Sequence, residues 1–82
     1  MDNAELLTLI QSALAEVAPK RAKEFDGVSL TTSIESLGLD SIATMEMVGI
    51  LEESADTTFP DEDLTNVNSL GDLAGLITKH GA

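Results

Sequence analysis

Eighty-two residues make one domain, close to the lower limit at which a hydrophobic core supports folding alone. With no cysteine and one histidine, the chain excludes disulfides, thiolate metal sites, cysteine nucleophiles and a conventional histidine-dependent triad. Fifteen acids against four bases give a formal net charge of −11, which disfavours nucleic acid and anionic membranes and favours basic protein patches.

The first helix is predicted to start at Asp2, with Glu5 three residues later as in a capping box. Leu6, Leu7, Ile10, Leu14 and Val17 follow at helical spacing, and Pro19 marks the end. Residues 20–40 hold no sustained period. Asp26-Gly27 signals a turn, Val28 and Leu30 are isolated apolar anchors, and "SIESLG" predicts one short helical turn ending at Gly38. So long a connection in a small domain suggests a functional or self-anchored loop.

A second helix is predicted over Ser41–Ser54, with Asp40 as its N-cap. "FPDED" then stops the pattern and suggests a short acidic helical turn through Leu64 to Asn66. Ser69 and Asp72 predict another helix start, with Leu70, Leu73, Leu76 and Ile77 on its apolar face. No strand pattern, repeat, signal peptide or run of transmembrane length is present, which predicts a cytoplasmic protein. The expected fold is all-α: a small bundle of three main helices plus one short helix, spanning residues 1–82 as one domain. Phe25 and Phe59 are its only aromatic residues, so the core is expected to be mostly aliphatic. His80, near the C-terminus, is expected to fray.

The second helix has two apolar stripes. On a wheel of about 100° per residue, Thr44, Met47, Val48, Leu51 and Ala55 form a core stripe of ordinary width. Ile42, Met45, Glu46, Gly49 and Glu53 fall in the opposite sector, mixing apolar side chains with carboxylates. Either other helices cover both stripes, or the second is a docking surface with apolar anchors and steering charges. Ser41 opens this helix. Serine is a common residue at helix starts, and no nearby histidine or lysine is at hand to activate it as a nucleophile. If Ser41 does chemistry, modification by another protein is the more economical form of it.

"LGLDSIATMEMVGILEE" resembles the signature of acyl carrier proteins, Leu-Gly-x-Asp-Ser-Leu followed by an acidic amphipathic helix. Downstream, "DTTFPDEDLTNVNSLGDLAGLI" is similar to the family's linker, short third helix and last helix, so the resemblance covers nearly the whole chain. It implies a 4'-phosphopantetheine arm on Ser41, installed from coenzyme A by a phosphopantetheinyl transferase, with cargo carried as thioesters on the arm's thiol. The chain would then be a non-catalytic, monomeric carrier without a metal site. It would present intermediates to acyl-loading, condensing and tailoring enzymes with basic docking patches. The implied docking set is Asp40, Ile42, Met45, Glu46, Glu52 and Glu53, with Asp61 and Glu62 in an accessory role.

Ile42 departs from the usual leucine, Ala43 from a frequent second acid, Gly49 from a large apolar residue and Ala55 from a bulky aromatic. These departures lean from housekeeping fatty-acid synthesis towards polyketide, hybrid peptide-polyketide or another specialised pathway. Met1 and the short C-terminal tail lead to the expectation of a discrete carrier, with an excised domain of a larger synthase as the open alternative. The rival class is an unmodified acidic helical adaptor that binds a basic protein. A calcium sensor fits less well, because "DTTFPDEDL" lacks alternating oxygen ligands, a central glycine and a terminal glutamate.

Overall fold

Capping boxes form at Asp2 and at Ser69, opening the first and last helices. In a computed structural model describing residues 2–81, α1 spans Asn3–Val17. The Asp2 carboxylate accepts the Glu5 N–H at 2.8 Å, and Glu5 accepts the Asp2 N–H at 3.3 Å. Leu6, Ile10, Ala13 and Leu14 are buried, with Leu9 and Val17 packed along the core's edge. Leu7, counted with the apolar face in sequence, is only half-buried.

The stretch after Pro19 is more ordered than its sequence suggests. A 3-10 turn over Pro19–Arg21 leads into a short helix α2, Ala22–Phe25. No period betrays it, because four residues carry a single apolar anchor, Phe25, which is fully buried. Its carbonyl accepts from the Gln11 side chain at 3.2 Å, tying α2 back to α1. Both phenylalanines thus join the otherwise aliphatic core. The architecture accordingly holds two short helices where one was expected.

The long loop that follows is laced to the start of the last helix. Ile34 N–H donates to Asn68, Leu70 N–H to Thr32 and Gly71 N–H to Leu30, at 2.8, 2.9 and 2.7 Å. Ser33 and Ser69 make one isolated antiparallel bridge that does not extend into a strand. Gly71 is needed for this close approach, since a Cβ there would lie 2.9 Å from the Leu30 carbonyl oxygen. The predicted turn in "SIESLG" forms as a 3-10 turn over Glu35–Leu37, closed by Gly38 in the left-handed region at φ 68°.

Helix α3 spans Ser41–Ser54, and its Asp40 cap accepts the Ala43 N–H at 2.7 Å. Its C-terminus closes with Asp56 at φ 54° and bonds from Thr57 N–H to Glu52 and Asp56 N–H to Glu53. That is the double bond of a Schellman closure, with aspartate in the left-handed place glycine usually takes. Helix α4 is Asp61–Leu64, and α5 is Leu70–His80. Helix α1 packs against both α3 and α5. One core joins them, centred on Ile10, Leu14, Met47, Leu51, Leu70 and Leu73.

The C-terminal end of α5 is held rather than frayed. His80 Nε2 lies 2.9 Å from Asp63 Oδ2, and Lys79 Nζ lies 3.7 Å from the same oxygen, joining α5 to α4. The His80 hydrogen bond, aided by the Lys79 charge, holds the Asp63 carboxyl below its ordinary value. At the other end of α5, the Asp72 carboxyl is also lowered, first by the Asn68 N–H and then by the Ser69 N–H. Both donate to Oδ2, at 2.9 and 3.1 Å.

A depressed folded-state value means that the stabilisation is present above the unfolded value of 3.8 and lost as pH falls through the folded one. Asp72→Asn should therefore lower Tm at neutral pH, with the gap to wild type narrowing below about pH 4. Thermal melts between pH 7 and pH 2 measure this. A gap that stayed constant would mean that Asp72 contributes through something other than its charge.

Candidate functional site

The site is built on the first turn of α3. Asp40 carries the cap, and its backbone carbonyl accepts both the Thr44 N–H at 3.0 Å and the Thr44 hydroxyl at 2.9 Å. Neither residue engages the hydroxyl of Ser41, which is exposed at the first helical position. Among the described residues, Ile42 and Met45 are the exposed large hydrophobics, at 73% and 59% of full accessibility. With Ser41 and Glu46 they line a shallow surface hollow. On the opposite side of the helix Met47, Val48 and Leu51 are buried, so one stripe faces the core and the other the surface, an alternative the wheel alone left open.

Glu46 and Glu53 stand exposed on the outer face, and Asp61 and Glu62 are exposed at the start of α4. Glu52 is engaged differently. It is half-buried and its Oε2 accepts the Phe59 N–H, 2.6 Å away, closing the loop between α3 and α4. Gly49 is exposed on the outer face, and a Cβ built there would meet nothing within 4 Å.

Met45 also borders a second space, an apolar cavity of about 100 Å³ between α3, α4, α5 and the long loop. Ile34, Thr44, Met47, Val48, Leu64, Val67 and Leu73 complete its lining. Thr44, assigned to the core stripe in sequence, is half-buried at this cavity with its hydroxyl turned back to the backbone. Ile34 comes from the long loop and Leu64 and Val67 from the turn that ends α4, so sequence spacing could not group Ile34 with the other two.

The geometry suits a phosphodiester on Ser41. Its hydroxyl is exposed and lies at the positive end of the α3 dipole, where helix-terminal N–H groups favour an anion. An exposed serine opening an acid-flanked helix in an all-α fold is the arrangement that the resemblance to phosphopantetheine-dependent carriers implies. Comparison with known proteins agrees: a family model described as a phosphopantetheine attachment site matches residues 5–77.

Among curated relatives, the acyl carrier protein of Exiguobacterium sp. is 35% identical over 78 residues, covering 94% of this chain and 95% of that one. The acyl carrier protein of Clostridium perfringens is 34% identical over 65 residues, 78% of this chain and 86% of its own. That of Borreliella burgdorferi is 29% identical over 82 residues, 96% of each chain. No solved structure matches the chain significantly. The chain belongs to the acyl carrier protein family, non-catalytic carriers whose prosthetic group is covalently attached 4'-phosphopantetheine.

Proposed function

We propose that the chain accepts phosphopantetheine from coenzyme A on Ser41, in a transfer catalysed by a phosphopantetheinyl transferase. It then carries acyl or related intermediates as thioesters, as a cytoplasmic monomer, to acyl-loading, condensing and tailoring enzymes of fatty-acid, polyketide or related biosynthesis. The arm supplies the working thiol, which the cysteine-free chain lacks. The observation that carries this reading is the exposed Ser41 hydroxyl beside exposed Ile42 and Met45.

The test is intact mass after incubation with coenzyme A and a broad-specificity transferase, followed by peptide mapping. One phosphopantetheine at Ser41 is expected. No addition under efficient transfer would favour the unmodified adaptor, and addition at Ser36, Ser54 or Ser69 would move the site.

The outer face of α3 is the docking surface in this reading. Its helix has no acid in the first turn and no base in the last, where Glu52 and Glu53 sit. Carboxylates at a helix C-terminus oppose the dipole, typically by about 0.3–1 kcal/mol each. Glu52 offsets that cost by accepting the Phe59 N–H, whereas stability does not account for the exposed Glu53, and recognition by a basic partner does. Gly49 supports a dedicated pathway over a housekeeping one. Glycine costs about 1 kcal/mol relative to alanine in a helix interior, and open space surrounds the position, so packing does not demand its small size.

Complementary charge acts mainly on association rate and is screened over about 8–10 Å at ordinary ionic strength. Loading should slow as salt rises at constant pH, and Glu46→Lys should slow it more than Glu16→Lys. Glu16 is the better control than Glu5, because it is exposed on α1 whereas Glu5 closes a capping box. Equal slowing by both reversals would reduce the acidity to a general charge effect.

A further inference from the structure

We propose that Arg21 is a positioning residue for Ser41, fastening the segment that delivers the serine to the corner between α1 and α2. The proposal rests on the reading of Ser41 as the attachment site. Arg21 closes the 3-10 turn that precedes α2, and its side chain is only 35% exposed. Three contacts fix it. Nη2 donates to the Leu37 carbonyl at 2.6 Å, Nε pairs with Glu24 Oε2 at 3.0 Å, and the guanidinium lies 5.2 Å from the centre of the Phe25 ring. Phe25 belongs to the core, so the guanidinium plane is held from below and its rotation is held by Glu24.

Among the described residues, no other side chain from elsewhere in the fold hydrogen-bonds the backbone between that carbonyl and the serine. The N–H groups of Leu37 and Gly38 bond back into their own turn, to Ile34 and Glu35. Among the described residues, Leu37 is anchored from elsewhere in the fold by its buried side chain and by Arg21. Gly38, at φ 68°, is the pivot. A Cβ there would lie 3.9 Å from both terminal guanidinium nitrogens, so the reversal of the chain faces Arg21 directly. Leu39 packs half-buried at the core's edge, and Asp40 then caps α3. Apolar burial at Leu37 and Leu39 holds this segment against the core but gives it no direction. The hydrogen bond from Arg21 does.

Positioning and charge predict opposite outcomes. Arg21 is one of four bases on a chain of net charge −11, so its neutralisation makes the chain more acidic and more attractive to a basic transferase. A loss of direction before Ser41 slows the transfer instead, because group transfer is sensitive to misplacement of about 1 Å.

The experiment measures kcat and KM for transfer from coenzyme A to wild type, Arg21→Met, Arg21→Lys and Lys23→Ala, at a temperature where all are folded by circular dichroism. Arg21→Met keeps an apolar stem over Phe25 and removes the donor. It should lower kcat about three- to tenfold with KM little changed. Arg21→Lys, which restores a donor, should recover part of the loss, and Lys23→Ala should load at least as fast as wild type. Unchanged or faster kcat in folded Arg21→Met overturns the proposal, even if its Tm falls. Should Arg21→Met not fold, Arg21→Gln, too short to span to Leu37, takes its place under the same two outcomes. A wild-type chain that is not loaded at Ser41 removes the attachment reading itself. A wild type loaded there, with Arg21→Met loaded at the same kcat, removes only this proposal.

Discussion

Ser41→Ala should gain no phosphopantetheine and melt within a few degrees of wild type. The two halves of that expectation have separate causes. Loading needs the hydroxyl, and no other serine follows an aspartate and precedes an apolar residue. Folding does not need it, because the cap is Asp40, whose carboxylate accepts the Ala43 N–H whichever residue follows. Alanine is also the better helix former, so a surface change of this kind stays within about 0.5 kcal/mol. Asp40→Asn refines the test: the amide oxygen can still cap α3, so any slowing of transfer reports the lost charge. Intact mass and thermal melts on the three proteins suffice. Loading of Ser41→Ala at the wild-type rate would remove Ser41 from the mechanism.

The parts of the fold that sequence discloses are those whose partners lie within one helical turn. Asp2 with Glu5 and Ser69 with Asp72 are capping boxes three residues long, readable without knowing anything distant. The stripe of Met47, Val48 and Leu51 is legible for the same reason, since helical spacing alone gathers it. What a wheel lacks is the identity of the buried side; the exposure of Ile42 and Met45 had to come from the structure.

Features joined across the chain are invisible to such reasoning. Glu52 reads as another docking acid until its bond to Phe59 N–H is seen. His80 reads as a frayed end until Asp63 meets it, seventeen positions away. Arg21 stands beside Lys20 and Lys23 with nothing in sequence to single it out, although its guanidinium reaches Leu37 across the long loop. Helix α2 fails for a different reason: one buried anchor cannot make a period. The resemblance to acyl carrier proteins is what singles out Ser41 as the expected attachment site, where residue chemistry alone offered either a common helix-start residue or a target for another protein.

Leu51→Ala should cost about 2–5 kcal/mol, whereas Met45→Ala should cost under about 1 kcal/mol yet slow loading. Leu51 is wholly buried on the inner face of α3, so truncation removes its transfer energy and leaves a hole that the surrounding core fills only in part. Domains of this size are stabilised by only about 5–15 kcal/mol, and about 1 kcal/mol moves Tm by roughly 4–8 °C, so Leu51→Ala should melt at least about 8 °C lower. Met45 is 59% exposed, with only part of its side chain against the cavity beside Thr44. Little apolar area returns to water when it is cut back. Its expected effect is on recognition, because with Ile42 it supplies the exposed apolar contact next to Ser41. Urea melts and initial loading rates on both variants distinguish the two roles. If Met45→Ala proved the more destabilising while Leu51→Ala loaded poorly in a fully folded state, the inner and outer faces of α3 would be interchanged, and the docking surface with them.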